Sequence, residues 1–259
     1  MIPVGVVLGF ALALMVGGVL GVLGAGGAIL AVPALVYFFE IPAREATHLS
    51  LGIVGLVAFA GVVQSWGSKS VDLRATLRFF IPSSIGVVLA RRWLVPAIPK
   101  EMDFILMLAF ALLMLGAARA MLRKDGGASR EAPVSVFQFA TRSFAVGLVT
   151  GLLGAGGGFL IVPILTLWGG LEFRAAAATS LAVIFLNSAI GFIGGWTPAA
   201  ATRLPIFFGF VGFSLVGLLA SRRIARGLDA GRLRRGFGYF LVLVAGATLV
   251  QEGLSRLMP

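Results

Sequence analysis

The chain contains one text written twice. Val16 to Leu35 reads VGGVLGVLGAGGAILAVPAL, and 130 residues later Val146 to Leu165 reads VGLVTGLLGAGGGFLIVPIL, with 13 of 20 positions identical. The register extends beyond the motif: Pro3 falls on Pro133, Arg44 on Arg174, Ser50-Leu51 on Ser180-Leu181, and Trp66 on Trp196. A shared apolar bias aligns scattered Leu and Val, but it does not align Gly, Pro, Arg and Trp in order. Two copies of one structural unit therefore make up the chain. The polar stretch Lys124 to Pro133 is the natural joint, which gives repeats at 1–127 and 128–259.

Each unit is too apolar to fold in water. Of 259 residues, 59% are hydrophobic and 12% charged, with a mean hydropathy of +1.05. A soluble domain is about 45–50% apolar and about 25% charged. The 36 glycines follow no triplet period, so collagen is excluded along with a soluble enzyme and a disordered tail. The expected fold is an all-α integral membrane protein of two repeats in one membrane domain. With no cysteine and one histidine, His48, the chain lacks the means for disulfides, thiolate chemistry or a clustered metal site. No cofactor is expected. The net charge of +11 sits in short basic clusters between apolar runs. That is the pattern of cytoplasmic membrane loops and not of a nucleic-acid groove. The first apolar stretch, Pro3 to Phe39, has no Lys or Arg ahead of it and is too long for a signal core, so it reads as mature structure.

Six spans are legible: His48 to Trp66, Thr76 to Trp93 and Met102 to Leu122, then Thr179 to Trp196, Leu204 to Ala220 and Gly236 to Leu254. Before each set lies a long segment broken by Gly-Ala-Gly-Gly. It can be one kinked span, two short spans, or a hairpin that re-enters. If it crosses once, the basic residues divide evenly between the two sides. If it crosses twice or re-enters, one side holds fifteen of the 21 Lys and Arg and the other holds six. The bias favours the second arrangement, because cations gather on the cytoplasmic side. Each half then crosses an odd number of times, so the repeats are inverted. Each repeat has a Gly-broken helical hairpin plus three transmembrane helices, about 8–10 membrane segments in all. Both termini lie outside the cytoplasm, in a multi-pass protein of the bacterial inner membrane. Gly27 to Phe39 is too short to cross as a helix, which favours short helices meeting near the bilayer middle.

A helix that starts at such a break directs N–H groups and the positive end of its dipole into whatever cavity lies there. An anion suits that site. Single glycines such as Gly17 and Gly21 read more simply as close helix packing. The duplicated motif as a whole, Gly24, Ala25, Gly26 and Gly27 with Gly154, Ala155, Gly156, Gly157 and Gly158, reads as a substrate site. Ser50, Thr179, Ser180 and Asn187 follow it on apolar helices and can donate to oxyanion oxygens. Bonds back to the helix backbone are the competing use of Ser and Thr. Arg44 and Arg174 match across the repeat and either draw an anion inward or snorkel to the interface. His48 can relay a proton or gate, although its repeat partner is Ala178. The acidic residues all fall in loops or at span ends. Cation carriers keep a carboxylate at membrane depth, so this distribution favours an anion.

The pattern GxLGAGGxxxxxPxL, present at Gly21 to Leu35 and again at Gly151 to Leu165, resembles the TauE/SafE sulfite exporter family, also called the toluene sulfonate uptake permeases. The second half carries the resemblance furthest, through Arg174, Thr179-Ser180-Leu181, Asn187 and Gly191, while the first half has Thr47-His48-Leu49-Ser50-Leu51 in place of a Thr-Ser-Leu run. The resemblance implies a secondary transporter of sulfite, sulfoacetate or similar sulfur oxyanions and organosulfonates, working by alternating access around the paired breaks. Its partners would be that anion and the lipid bilayer. A coupling ion, proton or sodium, and a homo-oligomer stay open. An anion channel or a subunit of a larger membrane complex is the alternative. An intramembrane enzyme has no Ser/His/Asp set or paired carboxylates to use, and no Walker motif is present.

Overall fold

The computed structural model describes residues 4–66, 70–97, 103–123, 135–153, 158–193 and 203–257. Its elements follow the repeat. The first half contains α1 (Val4–Leu23), a single 3-10 turn (Ala25–Gly27), α2 (Ala28–Phe39), α3 (Ala43–Trp66), α4 (Leu73–Leu89) and α5 (Asp103–Leu122). The second contains α6 (Val136–Leu153), α7 (Ile161–Leu167), α8 (Phe173–Ile193), α9 (Leu204–Arg226) and α10 (Ala230–Leu257). Past Leu89, α4 continues through a π-helical turn (Ala90–Leu94) into one last turn (Val95–Ala97).

Six of these helices are long and apolar enough to cross a bilayer: α1, α3, α4, α8, α9 and α10. Four further apolar helical stretches, Ala25–Phe39, Ala111–Leu122, Val136–Leu152 and Gly158–Leu167, are shorter. The outer surfaces are apolar, as lipid contact requires: Leu56, Phe59, Ile81, Phe208, Leu219 and Leu243 are all exposed. The interior combines large apolar side chains such as Phe79, Phe159, Phe210 and Phe237 with alanines and buried hydroxyls.

The two halves interlock. The main contacts pair α1 with α9, α4 with α6, α3 with α8 and α5 with α10, so every principal seam joins one half to the other. Exchanging the halves maps these seams onto one another. Without a hydrophobic drive between helices in lipid, small residues let backbones approach, and glycine does this on both equivalent seams. A Cβ on Gly17 of α1 would strike the Ser214 carbonyl of α9, and one on Gly147 of α6 would strike the Ser83 carbonyl of α4. In return, Gly217 and Gly86 sit against the carbonyls of Leu14 and Phe144.

These contacts also correct the register. Gly17 and Gly147 are 130 apart, but Ser83 and Ser214 are 131 apart, as are Gly86 and Gly217. The second half gains one residue between its third and fourth helices, beyond the last sequence match at Trp66 and Trp196. The starts of α4 at Leu73 and α9 at Leu204 keep the same one-residue slip.

Candidate functional site

Where α3, α4, α6, α7 and α8 converge, polar groups surround a cavity of about 10 Å³, roughly the room one water needs. Arg91 of the π-helical turn, Thr150 of α6, Asn187 and Ser188 of α8, and Gly158 line it together with Leu51, Val87, Ile161 and Ile184. Opening a helix to π geometry changes the direction in which its side chains leave, and such turns gather at functional sites. Within this turn Arg91 lines the cavity, while Arg92 beside it is exposed. Its Nη1 donates to the Gly191 carbonyl at 3.4 Å, while its Nε is buried without a partner. The salt bridge among the described residues, Arg232 to Asp229, lies elsewhere on an exposed loop. Arg91 is therefore a half-buried cation with no carboxylate opposite it among the described residues, and its buried Nε–H is a donor that an anion can complete.

The neighbours are arranged to complete it. The Thr150 hydroxyl is buried without a partner. Asn187 and Ser188 are each 4% exposed. The Asn187 amide donates to Ser83 Oγ at 3.1 Å, and Ser83 in turn donates to the Phe80 carbonyl, which fixes the amide at the cavity wall. His48 stacks on Phe192 with ring centroids 5.0 Å apart, and neither ring nitrogen has a partner. Arg91 is the charge that acts on it.

The residues singled out from sequence separate into groups. Asn187 and Gly158 line the cavity, and His48 lies beside it. Ser50 and Ser180, equivalent in the repeat, both turn back on their own helices, donating to the carbonyls of Thr47 at 2.8 Å and Ala177 at 2.7 Å. Thr179 accepts the backbone N–H of Asp72 at 3.0 Å and so ties α8 to the start of α4. Gly24, at φ 76°, is held against Ser180 and Ala177. Ala25, Gly26 and Gly27 are buried beside it. A side chain on Gly26 would meet Phe237 and Phe240 of α10, and one on Gly27 would meet α1 at Val16 and Leu20. The first-half motif thus packs on protein and stands apart from the Arg91 cavity. Arg174 is exposed and donates to the Leu228 carbonyl. Gly154, Ala155, Gly156 and Gly157 lie outside the described residues, as does the side chain of Arg44.

Arg91, Thr150, Ser83 and Ser188 are functional candidates that sequence reasoning passed over. Arg91 reads as one more interfacial cation at a span end, and Thr150, Ser83 and Ser188 lie outside the duplicated helix starts that drew attention to Ser50, Thr179 and Ser180. Comparing the halves exposes Thr150 and Ser188. Under the 130-residue register Thr150 faces Leu20, Asn187 faces Val57, Ser188 faces Ala58 and His48 faces Ala178. The Thr150, Asn187 and Ser188 groups of the cavity thus have apolar counterparts, whereas Arg91 and Ser83 fall on Arg222 and Ser214 under the 131-residue register of the fourth helices.

Comparison with known proteins agrees with this architecture. The family described as sulfite exporter TauE/SafE matches residues 9–248. A probable membrane transporter protein of Xylella fastidiosa (strain Temecula1 / ATCC 700964) is 31% identical over 257 residues, covering 89% of this chain and 90% of its own length. A probable membrane transporter protein of Bacillus subtilis (strain 168), YunE, is 27% identical over 272 residues, covering 94% and 96%. No solved structure matches the chain. A doubled apolar scaffold with six candidate spans, matched along nearly its whole length, makes this a multi-pass membrane transporter. The chain belongs to the sulfite exporter TauE/SafE family.

Proposed function

We propose that the protein is a secondary transporter of small sulfur oxyanions or organosulfonates, such as sulfite or sulfoacetate, and that Arg91 is the charge that holds the substrate. The observation carrying this reading is the half-buried Arg91 guanidinium, whose Nε is buried without a partner, and which lines one cavity with Thr150, Asn187 and Ser188, with no carboxylate among its partners in the described residues. A guanidinium fork matches two oxygens of an oxyanion, and neutral hydroxyl and amide donors take the remaining oxygen. The apolar half of the wall, from Leu51, Val87, Ile161 and Ile184, would face a short carbon substituent once the cavity widens beyond its present water-sized volume. With room for about one water, the cavity must widen to admit an anion, which suits a carrier that rearranges better than an open channel. Alternating access then requires the two interlocked halves to rock about the site. Inverted repeats in the bacterial inner membrane, with both termini outside the cytoplasm, provide the symmetry for such rocking.

The test is uptake into proteoliposomes by the purified protein alone. Wild-type protein should show saturable uptake and counterflow of sulfite or a short alkyl sulfonate. Arg91→Gln should weaken the apparent affinity roughly ten- to a hundredfold, the worth of a charge-assisted contact of about 1.5–3 kcal/mol. Unchanged transport in Arg91→Gln would end the site assignment. Conductance without counterflow would replace the carrier with a channel.

A further inference from the structure

A second feature breaks the repeat in another place. A groove of about 470 Å³ follows the seam between α4 and α6, walled by Leu77, Ile81 and Pro82, by Phe139 and Ala140, and by Gly169 beyond the end of α7. The equivalent seam in the other half, between α9 and α1, is filled by aromatic rings. There Phe10 stacks on Phe213 at 5.0 Å and meets Phe39 edge-on at 5.1 Å. Under the repeat these three rings correspond to Ala140, Pro82 and Gly169, all on the groove wall. One ring comes back in exchange, Phe139 where the other half has Gly9, but it turns toward Phe79, with centroids 6.1 Å apart. With Leu77 in place of Phe208, four wall positions lose a ring and one gains a ring, while Trp168 keeps one in place of Phe38, and the groove stays open.

The charge changes at the same place. Arg74 and Arg78, one helical turn apart, stand at the end of the groove where the other half has Pro205 and Gly209. Both side chains are exposed. The nearby carboxylate of Asp72 is engaged as the cap of α4, accepting the Ala75 N–H at 2.9 Å. An apolar slot that opens sideways into a bilayer takes a hydrocarbon chain, and paired guanidiniums at its end select a phosphate. We propose that the α4–α6 seam is a binding site for an anionic phospholipid, with its phosphate on Arg74 and Arg78 and one acyl chain in the place of the missing rings. The site is separate from the Arg91 cavity and does not depend on the transported substrate.

Native mass spectrometry of the purified protein with phosphatidylglycerol or phosphatidylcholine tests this. Phosphatidylglycerol should be retained at least tenfold more strongly, and Arg74→Gln with Arg78→Gln should lower it to the phosphatidylcholine level. Ala140→Phe, which puts back a ring, should expel the lipid while thermal unfolding in detergent alone stays unchanged. If that variant does not fold, the arginine pair decides the matter. Equal retention of the two lipids, or retention indifferent to the arginines, overturns the proposal. Inorganic phosphate stabilising the protein as well as phosphatidylglycerol would reassign the arginines to a free anion. A dimer peak in place of lipid adducts would assign the groove to a second copy of the chain.

Discussion

At the scale of single residues, the cavity holds polar groups whose partners are absent, and this fixes the sign of two substitutions. The Thr150 hydroxyl is buried and unpaired. Thr150→Val keeps the shape and removes the orphan, so unfolding without ligand should stay level or rise slightly. On the proposed reading, which gives this hydroxyl to the anion, stabilisation by sulfite should nevertheless fall about tenfold in its concentration dependence. Ser83→Ala acts in the other direction. It strands the Asn187 amide that Ser83 now accepts, and should cost about 1–3 kcal/mol of stability even with no anion present. Thermal unfolding with and without sulfite reads both; a Thr150→Val that loses stability and ligand response in step would make Thr150 a packing residue. Asn187 was legible in the sequence because a buried amide stands out on an apolar helix. Arg91 was not: an Arg-Arg-Trp run at a span end is what interfacial anchoring looks like, and only the π-helical turn aims one of the two arginines inward.

At the scale of helices, the glycines divide by what lies beside them. Gly147 of α6 rests on the Ser83 backbone, whereas Gly236 of α10 has nothing within 4 Å. Gly147→Leu should therefore abolish monodisperse protein on size exclusion, and Gly236→Leu should leave it intact. Gly17→Leu should behave as Gly147→Leu, since the two α-helical seams are equivalent under the repeat. Survival of Gly17→Leu and Gly147→Leu would mean that the seams are looser than their backbone contacts imply. The sequence already suggested close packing at Gly17 and Gly21, and placed the helices that follow within a few residues. It did not reveal the one-residue slip between the third and fourth helices. Apolar helices align about equally well at 130 and at 131, and only the carbonyl that each glycine touches distinguishes them.

At the scale of the molecule, the loop charges predict the orientation. Single cysteines replacing Asp125 and Ala230 should be shielded from an impermeant external thiol reagent in intact cells, and one replacing Lys100 should be labelled. Labelling of Asp125 and Ala230 positions on different sides would remove the inverted arrangement. That the chain has two halves was legible from the repeated motif. Their mutual dependence was not, because sequence similarity shows which segments are copies but not which segments touch. Each principal seam crosses between the halves.

That crossing has a consequence for how the protein is made. α1 finds its closest partner in α9, roughly 180 residues further along the chain. At about 5–20 residues per second, synthesis leaves α1 in the bilayer for some ten to forty seconds before α9 emerges. Throughout that interval the face that carries Gly17, which ends against Ser214, and Gly21, which ends against Ser221 and Leu218, has only lipid or another protein to lie against. The finished transporter is held together by contacts that nascent chains cannot yet make. The cell's insertion machinery, and any helix that offers a small-residue face in the meantime, competes for α1 before its own partner exists.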